Sequence, residues 1–266
     1  MRGISRAIYS LNEVETISTG QSFMHRLDPR AKITVTVVYI AVVLSYRLHS
    51  ISGILFMWVF PIIFSALSGI NYNRVFVKSL YTLPFIMFVG IFNPILDHRP
   101  MMRIGSIVVS YGWVDFFSII VRGLLAVQAT LILIMNTGFQ KVCYGFRRMG
   151  MPSLFAVQLL MVYRYLLLLL QEAASMDNAR RSRCYGRRSY SPRMWGCFIS
   201  QLFVRTLARS ERVHRAMLSR GFNGNVVIRG HLRWTLTDTV FTIACVGVFL
   251  CVRYVNLSGL FNNVHL

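Results

Sequence analysis

Acidic residues are scarce in this chain. Asp and Glu number 9 against 29 Lys and Arg in 266 residues, and charged residues of both signs make up only 14%. A soluble globular chain carries about 25%, so the composition argues against one. No paired carboxylates, Ser/His/Asp set or His-rich motif appears in the apolar segments, and no enzymatic activity is expected. No G-x-x-x-x-G-K-[ST] run occurs, so there is no visible nucleotide-cradling loop and no cofactor is expected. The five cysteines, Cys143, Cys184, Cys197, Cys245 and Cys251, lack C-x-x-C pairing and Cys/His metal spacing. They read as small hydrophobes or reduced thiols. His25, His49, His98, His214, His231 and His265 are scattered and suggest no metal site. His98 beside Asp97 reads as part of an ordinary polar loop. The first 31 residues hold Arg2, Arg6, Glu13, Glu15, Arg26, Asp28 and Arg30 without the apolar core of a cleavable signal.

What the chain has instead is hydrophobic length. Apolar residues make up 55%, and several runs approach the ~20 residues that cross a hydrocarbon core. An all-α integral membrane protein is expected, with about five transmembrane helices plus long cytoplasmic helices. Residues 1–32 read as a cytoplasmic tail. Asp28-Pro29 is a helix start, because proline suits the first turn, and Lys32 opens a first span over about 33–46. A second span covers about 51–70, with Pro61 the candidate kink. Asn71 to Arg74 reads as a turn. A third span runs over about 78–96, a polar loop over 97–114 and a fourth span over about 116–138. The membrane region is therefore 33–140. Arg122 in the fourth span is either functional or snorkels to the interface near Asp115. Gln128 and Asn136 are expected to hydrogen-bond between helices.

The character changes at Lys141. From there to Arg233 the chain holds 17 Lys and Arg against Glu172, Asp177 and Glu211. Residues 153–183 read as one helix, apolar from Leu154 to Leu170 and polar after it. A loop of 184–192 follows, then a second helix over about 193–220. Its apolar stripe is Trp195, Phe198, Ile199, Leu202, Phe203, Thr206, Val213 and Met217, largely at the spacing of one helical face. Glu211 lies four before Arg215, the favourable order for an ion pair. The region 141–233 is the arginine-rich helical region, and 234–266 holds a last span, about 238–256, and a tail.

Both helices end in a near-repeat. Residues 179–183 read Ala-Arg-Arg-Ser-Arg and residues 216–220 read Ala-Met-Leu-Ser-Arg. Small residues at Ala179, Ser182, Ala216 and Ser219 keep each tip slim. Arg183 and Arg220 gain from the helix dipole, and their planar forks can hold a carboxylate. Gly221 stands where a left-handed cap belongs. Lipid headgroups account for Arg187, Arg188, Arg205, Arg209 and Arg233, but lipid attraction requires neither repeated spacing nor a following glycine. The two tips read as docking points on a paired partner.

The basic residues set orientation. The block of 141–233 belongs in the cytoplasm, and four spans before it place the N-terminus there too. If 154–170 crossed as a sixth span, both tips would fall outside, against the charge rule. A helix that enters the bilayer obliquely, or lies along it, is the expected arrangement.

Five stretches resemble a known family: His25 to Lys32 (HRLDPRAK); Phe92 to Asp97 (FNPILD); Tyr163-Arg164-Tyr165 with Gln171-Glu172; Ala179 to Arg183; and Arg212 to Met217 through Ser219-Arg220-Gly221-Phe222. Together they resemble the transmembrane T component of energy-coupling-factor transporters, most closely the cobalt-type CbiQ family. The resemblance implies that Arg183 and Arg220 each enter a groove on one of two ABC-type ATPase subunits, which bind and hydrolyse ATP. It implies a separate substrate-binding membrane subunit, the plasma (inner) membrane as location, and uptake of cobalt, with nickel close behind. Cys184 stands where the family often has glycine, and Arg180 competes with Arg183 for the first docking role. Two other functions stay open: a T component for vitamin uptake, and a membrane-anchored scaffold that binds lipid or a partner without transport. The lipid bilayer is a partner under every reading, and nucleic acid under none.

Overall fold

A computed structural model of the chain describes residues 22–46, 51–96, 100–104, 107–183, 191–222 and 234–254. The tail before Ser22, the loops around His49, Asp97–His98, Cys184–Tyr190 and His231–Arg233, and everything after Tyr254 lie outside them. The described chain is helical, as the composition requires, apart from one short hairpin.

Helices α1 (Phe23–Arg26) and α2 (Pro29–Ser45) open it, followed by α3 (Ile51–Phe56), α4 (Val59–Ser68), α5 (Tyr72–Leu80), α6 (Leu83–Gly90) and α7 (Phe92–Leu96). Strands β1 (Pro100–Ile104) and β2 (Ile107–Ser110) pair antiparallel. Then come α8 (Tyr111–Thr137), α9 (Phe139–Arg148), α10 (Ser153–Arg183), α11 (Pro192–Leu218) and α12 (Leu236–Tyr254). Two units result, one built from residues 17–138 and 232–266 and the other including 139–231.

Among the described residues, three helices are long and apolar enough to cross a membrane: Gly112–Thr137, Ser153–Arg183 and Leu236–Arg253. The bent pair Tyr72–Leu80 and Leu83–Pro94 makes a fourth if taken as one span. The remaining expected spans are shorter. α2 has 17 residues, about 25 Å of helix, and the second span is divided at Met57–Trp58. Pro61 is therefore not the break; it sits in the first turn of α4, where its missing N–H costs no hydrogen bond. Where the sequence suggested a turn at 71–74, α5 already begins at Tyr72. The polar loop of 97–114 contains the hairpin and the first turn of α8.

In the larger unit the core lies between α2, α3, α8 and α12. Val35, Tyr39, Val43, Ile54, Leu125 and Phe249 are buried together. Tyr39 stacks on Phe60 at 4.4 Å, and Phe60 meets Phe249 edge-on at 4.9 Å. Small residues let α6 lie close on α8. A Cβ on Gly123 would stand 2.8 Å from Ile86 Cδ1, and one on Gly90 3.0 Å from Phe116 Cδ2, the close approach that membrane helices use in place of a hydrophobic driving force.

Breaks in spans free backbone groups, and hydrocarbon offers no water to satisfy them. Tyr39 answers the break at Met57 by donating its hydroxyl to the Met57 carbonyl at 2.9 Å. A polar chain braces the same region. Trp58 Nε1 donates to the Tyr72 hydroxyl, which donates to Gln128 Oε1 at 3.2 Å; Gln128 Nε2 reaches Ser79 Oγ at 3.5 Å. Gln128 thus bonds between helices as expected. Asn136, equally buried, does not: both its side-chain polar atoms lack a hydrogen bond among the described residues. Arg122 is buried with 8% exposure, and Asp115 acts on its charge, so it does not reach out to solvent.

α2 and α12 are fastened at both ends. At one end the Asp28 carboxylate caps α2 by accepting from the Arg30 N–H at 2.9 Å. The Asp28 N–H donates to Asp238 Oδ1 at 2.8 Å, while Asp238 Oδ2 accepts from the Thr235 N–H and hydroxyl at 2.8 and 2.6 Å. Thr235 and Asp238 stand at the spacing of a helix-capping box. Lys32, 1% exposed, supplies the positive charge that acts on Asp238. At the other end the Arg253 guanidinium donates to the Ser45 carbonyl at 2.9 Å and covers the Tyr46 ring at 4.7 Å, and the Tyr46 hydroxyl donates to the Val252 carbonyl at 3.2 Å.

Replacing Asp238 by Ala is expected to destabilise the protein by about 3–5 kcal/mol, because it strands a buried ammonium and three donors. Thermal unfolding of the purified protein in detergent checks this. Asp238→Asn, which keeps the shape but not the charge, should fall between wild type and Asp238→Ala.

Candidate functional site

The unit that includes residues 139–231 carries both arginine tips. α9 packs on α10 through a stack of Phe139 on Tyr163, with ring centroids 4.9 Å apart. Ala156, Val157 and Ala173 of α10 are buried, as is Cys143 of α9, whose thiol burial pushes above its ordinary range. α10 spans 31 residues without interruption, as the sequence indicated. Its apolar half is widely exposed: Leu154, Phe155, Val162 and Leu166 present most of their side chains outward. An aqueous protein rarely leaves such a surface open; a lipid or partner surface is its natural cover.

α11 starts with Ser191, whose hydroxyl accepts from the Met194 N–H at 3.3 Å, and with Pro192 in its first turn. No α11 residue is fully buried. The predicted stripe divides in two. Leu202, Thr206, Val213 and Met217 are half-buried, while Trp195, Ile199 and Phe203 stay exposed together with Val204 and Leu207. Glu172 of α10 and Arg205 of α11 join the helices with a 2.6 Å ion pair. Arg205 is therefore engaged within the chain and is not one of the lipid-facing arginines the composition suggested.

At the first tip the three arginines differ in their partners. Asp177 is 3% exposed. It pairs with Arg180 at 3.4 Å and with Arg181 at 2.9 Å, at i+3 and i+4. Arg183, at the last position of α10, is exposed and makes no side-chain hydrogen bond or ion pair among the described residues. The second tip repeats this division. Arg215 pairs with Glu211 at 3.3 Å, the expected helical pair, and Arg220 is exposed and makes no such bond among the described residues.

The matched serines behave alike. Ser182 Oγ donates to the Asn178 carbonyl at 3.1 Å and Ser219 Oγ to the Arg215 carbonyl at 3.0 Å, each one turn back. Their hydroxyls are folded onto the backbone, and Ala179 and Ala216 are exposed beside them. Each tip thus offers a narrow surface and one unengaged guanidinium.

Gly221 takes φ +76°, the left-handed conformation that glycine adopts without steric cost. The Phe222 N–H donates to the Met217 carbonyl and the Gly221 N–H to the Leu218 carbonyl, both at 3.0 Å. That pair of bonds is a Schellman cap. Its usual hydrophobic partners, here Met217 and Phe222, line one recess. The first tip has no such cap among the described residues; Cys184 lies outside them.

Sequence reasoning counted Asp177 only as one of three acids. Its position three and four before Arg180 and Arg181 was the signal that it would claim them. Asp238 escaped notice inside the last span, where an intramembrane charge at capping-box spacing from Thr235 marked it. Among the described residues, no three His, Cys, Asp or Glu side chains converge as a metal site.

The chain is similar to known proteins. The chain is 27% identical over 243 residues to the energy-coupling factor transporter transmembrane protein EcfT of Thermosediminibacter oceani, covering 85% of this chain and 90% of that protein. It is 25% identical over 256 residues to EcfT of Listeria innocua, covering 91% and 93%. It is also 27% identical over 157 residues to the cobalt transport protein CbiQ of Salmonella typhimurium, covering 54% and 69%. The family described as cobalt transport protein, CbiQ, matches residues 20–230, a stretch that takes in the buried Asp28–Lys32 knot and both arginine tips. The chain belongs to the CbiQ family of membrane transport components.

Proposed function

We propose that this chain is the coupling subunit of an energy-coupling-factor importer, and that Arg183 and Arg220 plug into two ABC-type ATPase subunits. One observation carries the reading: the two signature arginines are exposed and unengaged among the described residues, while Arg180, Arg181, Arg205 and Arg215 around them each hold a carboxylate. In a chain so poor in acids, a guanidinium left over at a helix tip seeks its carboxylate on another protein.

ATP binding and hydrolysis belong to the partner subunits in this reading. Closure of the ATPase pair moves both tips, and α10 and α11, tied by Glu172–Arg205, pass that movement to a substrate-binding membrane subunit. Engagement of two ATPases at once makes the tips a bivalent anchor. The N-terminus and both tips lie in the cytoplasm at the plasma membrane, following the basic residues.

Cobalt is the proposed cargo, with nickel close behind; the family description and the Salmonella relative's name support this. A second reading is a T component serving vitamin-binding subunits: the relatives covered most fully are named as energy-coupling factor transporter transmembrane proteins, with no metal in the name. Uptake of radioactive cobalt, nickel and biotin by cells carrying the whole subunit set separates them. Cobalt import above the other two is expected, and biotin import alone would overturn the metal reading.

The docking reading has its own test. Arg220→Glu and Arg183→Glu should each lower co-purification of the ATPase subunits at least tenfold, by leaving a buried partner carboxylate opposed. Arg180→Glu and Arg188→Glu should leave it near wild type. Equal losses in all four variants would mean a generic polybasic surface.

Thiol labelling tests the topology. In membranes opened to the cytoplasmic face, a maleimide should label exposed Cys197 quickly and buried Cys143 slowly, because burial holds the Cys143 thiol protonated. An impermeant reagent outside sealed cells should label neither. Labelling of Cys197 from outside would place the tips on the wrong side of the membrane.

A further inference from the structure

Two adjoining recesses flank the α10–α11 crossing and share Tyr165, Leu169, Thr206 and Arg209. The larger, about 630 Å³, is mostly apolar, with Val157, Met161, Val213, Met217 and Phe222 in its wall. The smaller, about 390 Å³, runs past Leu168 to Arg205, Arg209 and Arg212. Glu172 is the acid there, and Arg205 has taken it at 2.6 Å. Arg209 and Arg212 are exposed and make no side-chain hydrogen bond or ion pair among the described residues.

The position matters as much as the chemistry. The crossing falls where α10 passes from its apolar stretch, 154–170, to its polar one. With that stretch lying along the hydrocarbon boundary, the trough and Tyr165 to Glu172 stand at the depth where acyl chains give way to headgroups, the level that tyrosine rings prefer. Two unmatched guanidinium groups at this level, beside an apolar trough, complement a ligand with a phosphate at one end and hydrocarbon at the other. A free phosphate would leave the trough uncovered, and a neutral lipid would leave the two charges unmatched.

We propose that the α10–α11 crossing binds an anionic phospholipid, with its phosphate on Arg209 and Arg212 and an acyl chain along Met161, Leu169, Val213 and Met217. The site does not depend on ATPase docking: Arg209 and Arg212 stand about three and two turns before the Arg220 tip. The bound lipid covers apolar surface that the crossing exposes and supplies the negative charge that the chain lacks.

Native mass spectrometry of the full-length protein, released from nanodiscs of equal phosphatidylglycerol and phosphatidylcholine, tests this. One retained phosphatidylglycerol is expected, and little phosphatidylcholine. The double variant Arg209→Gln, Arg212→Gln should retain roughly 30-fold less, the combined effect of two lipid-facing arginines. Arg193→Gln, outside both recesses, should retain as much as wild type. The charge-preserving Arg209→Lys, Arg212→Lys variant should keep most of the binding, which separates loss of charge from loss of fold. Met217→Gln, which leaves both arginines in place and polarises the trough, should also reduce retention at an unchanged melting temperature. Equal retention of the two lipids, an equal loss in Arg193→Gln, unchanged retention in Met217→Gln, or displacement by millimolar inorganic phosphate would overturn the proposal. The last result would point to a free-anion site, and retention of a co-purified protein helix in place of lipid would point to a protein groove.

Discussion

Asp238 stands 210 residues from Asp28 in the chain and accepts a hydrogen bond from its backbone amide at 2.8 Å. The membrane unit depends on this bond and on the charge around it. A lone carboxylate in an apolar setting is strongly disfavoured; this one is tolerated because three donors and a nearby ammonium surround it. The same atoms start two helices. Asp28 caps α2, and Asp238 accepts the Thr235 N–H at the start of α12, so the bond that joins the two helices also fixes where each begins. Arg253 over Tyr46 repeats the fastening at the opposite end. The helices between them can then break, bend and approach closely without the unit opening.

A second constraint is arithmetical. With 9 acids for 29 strong bases, the acids are too few to match every base, and the placement of each decides which bases it serves. Asp177 occupies Arg180 and Arg181, Glu172 occupies Arg205, and Glu211 occupies Arg215. Every acid between residues 141 and 233 is thereby spent inside this unit. Arg183 and Arg220 at the helix ends and Arg209 and Arg212 at the crossing are among the bases left without one.

Much of this was legible beforehand. The apolar run that turns polar gave α10 its full extent, the spacing of the apolar stripe gave α11 from about 193, one residue inside its observed start at Pro192, and the glycine after Arg220 gave its cap. These are local signals, and local signals survive folding. The break at Met57 was not legible, because no proline or glycine stands at it; the Tyr39 hydroxyl from another helix meets it. The break near Tyr81 did carry a mark, Pro84 in the first turn of α6, which the apolar run around it hid. Which of Arg180 and Arg183 would hold an internal carboxylate was also closed to composition, since it turns on which guanidinium reaches buried Asp177. Pro61 misled in the opposite direction, as a breaker that sits harmlessly in a first turn. The stripe on α11 was read correctly as a periodicity, yet periodicity could not say that Trp195, Ile199 and Phe203 would find no cover within the unit.

The cap at the second tip has a consequence for how tightly a guest can be held. The left-handed turn at Gly221 and the bond from the Phe222 N–H to the Met217 carbonyl fix the backbone under Arg220 before any encounter takes place. A helix end held rigid in this way forfeits little conformational freedom on engagement, so more of its attraction survives as grip.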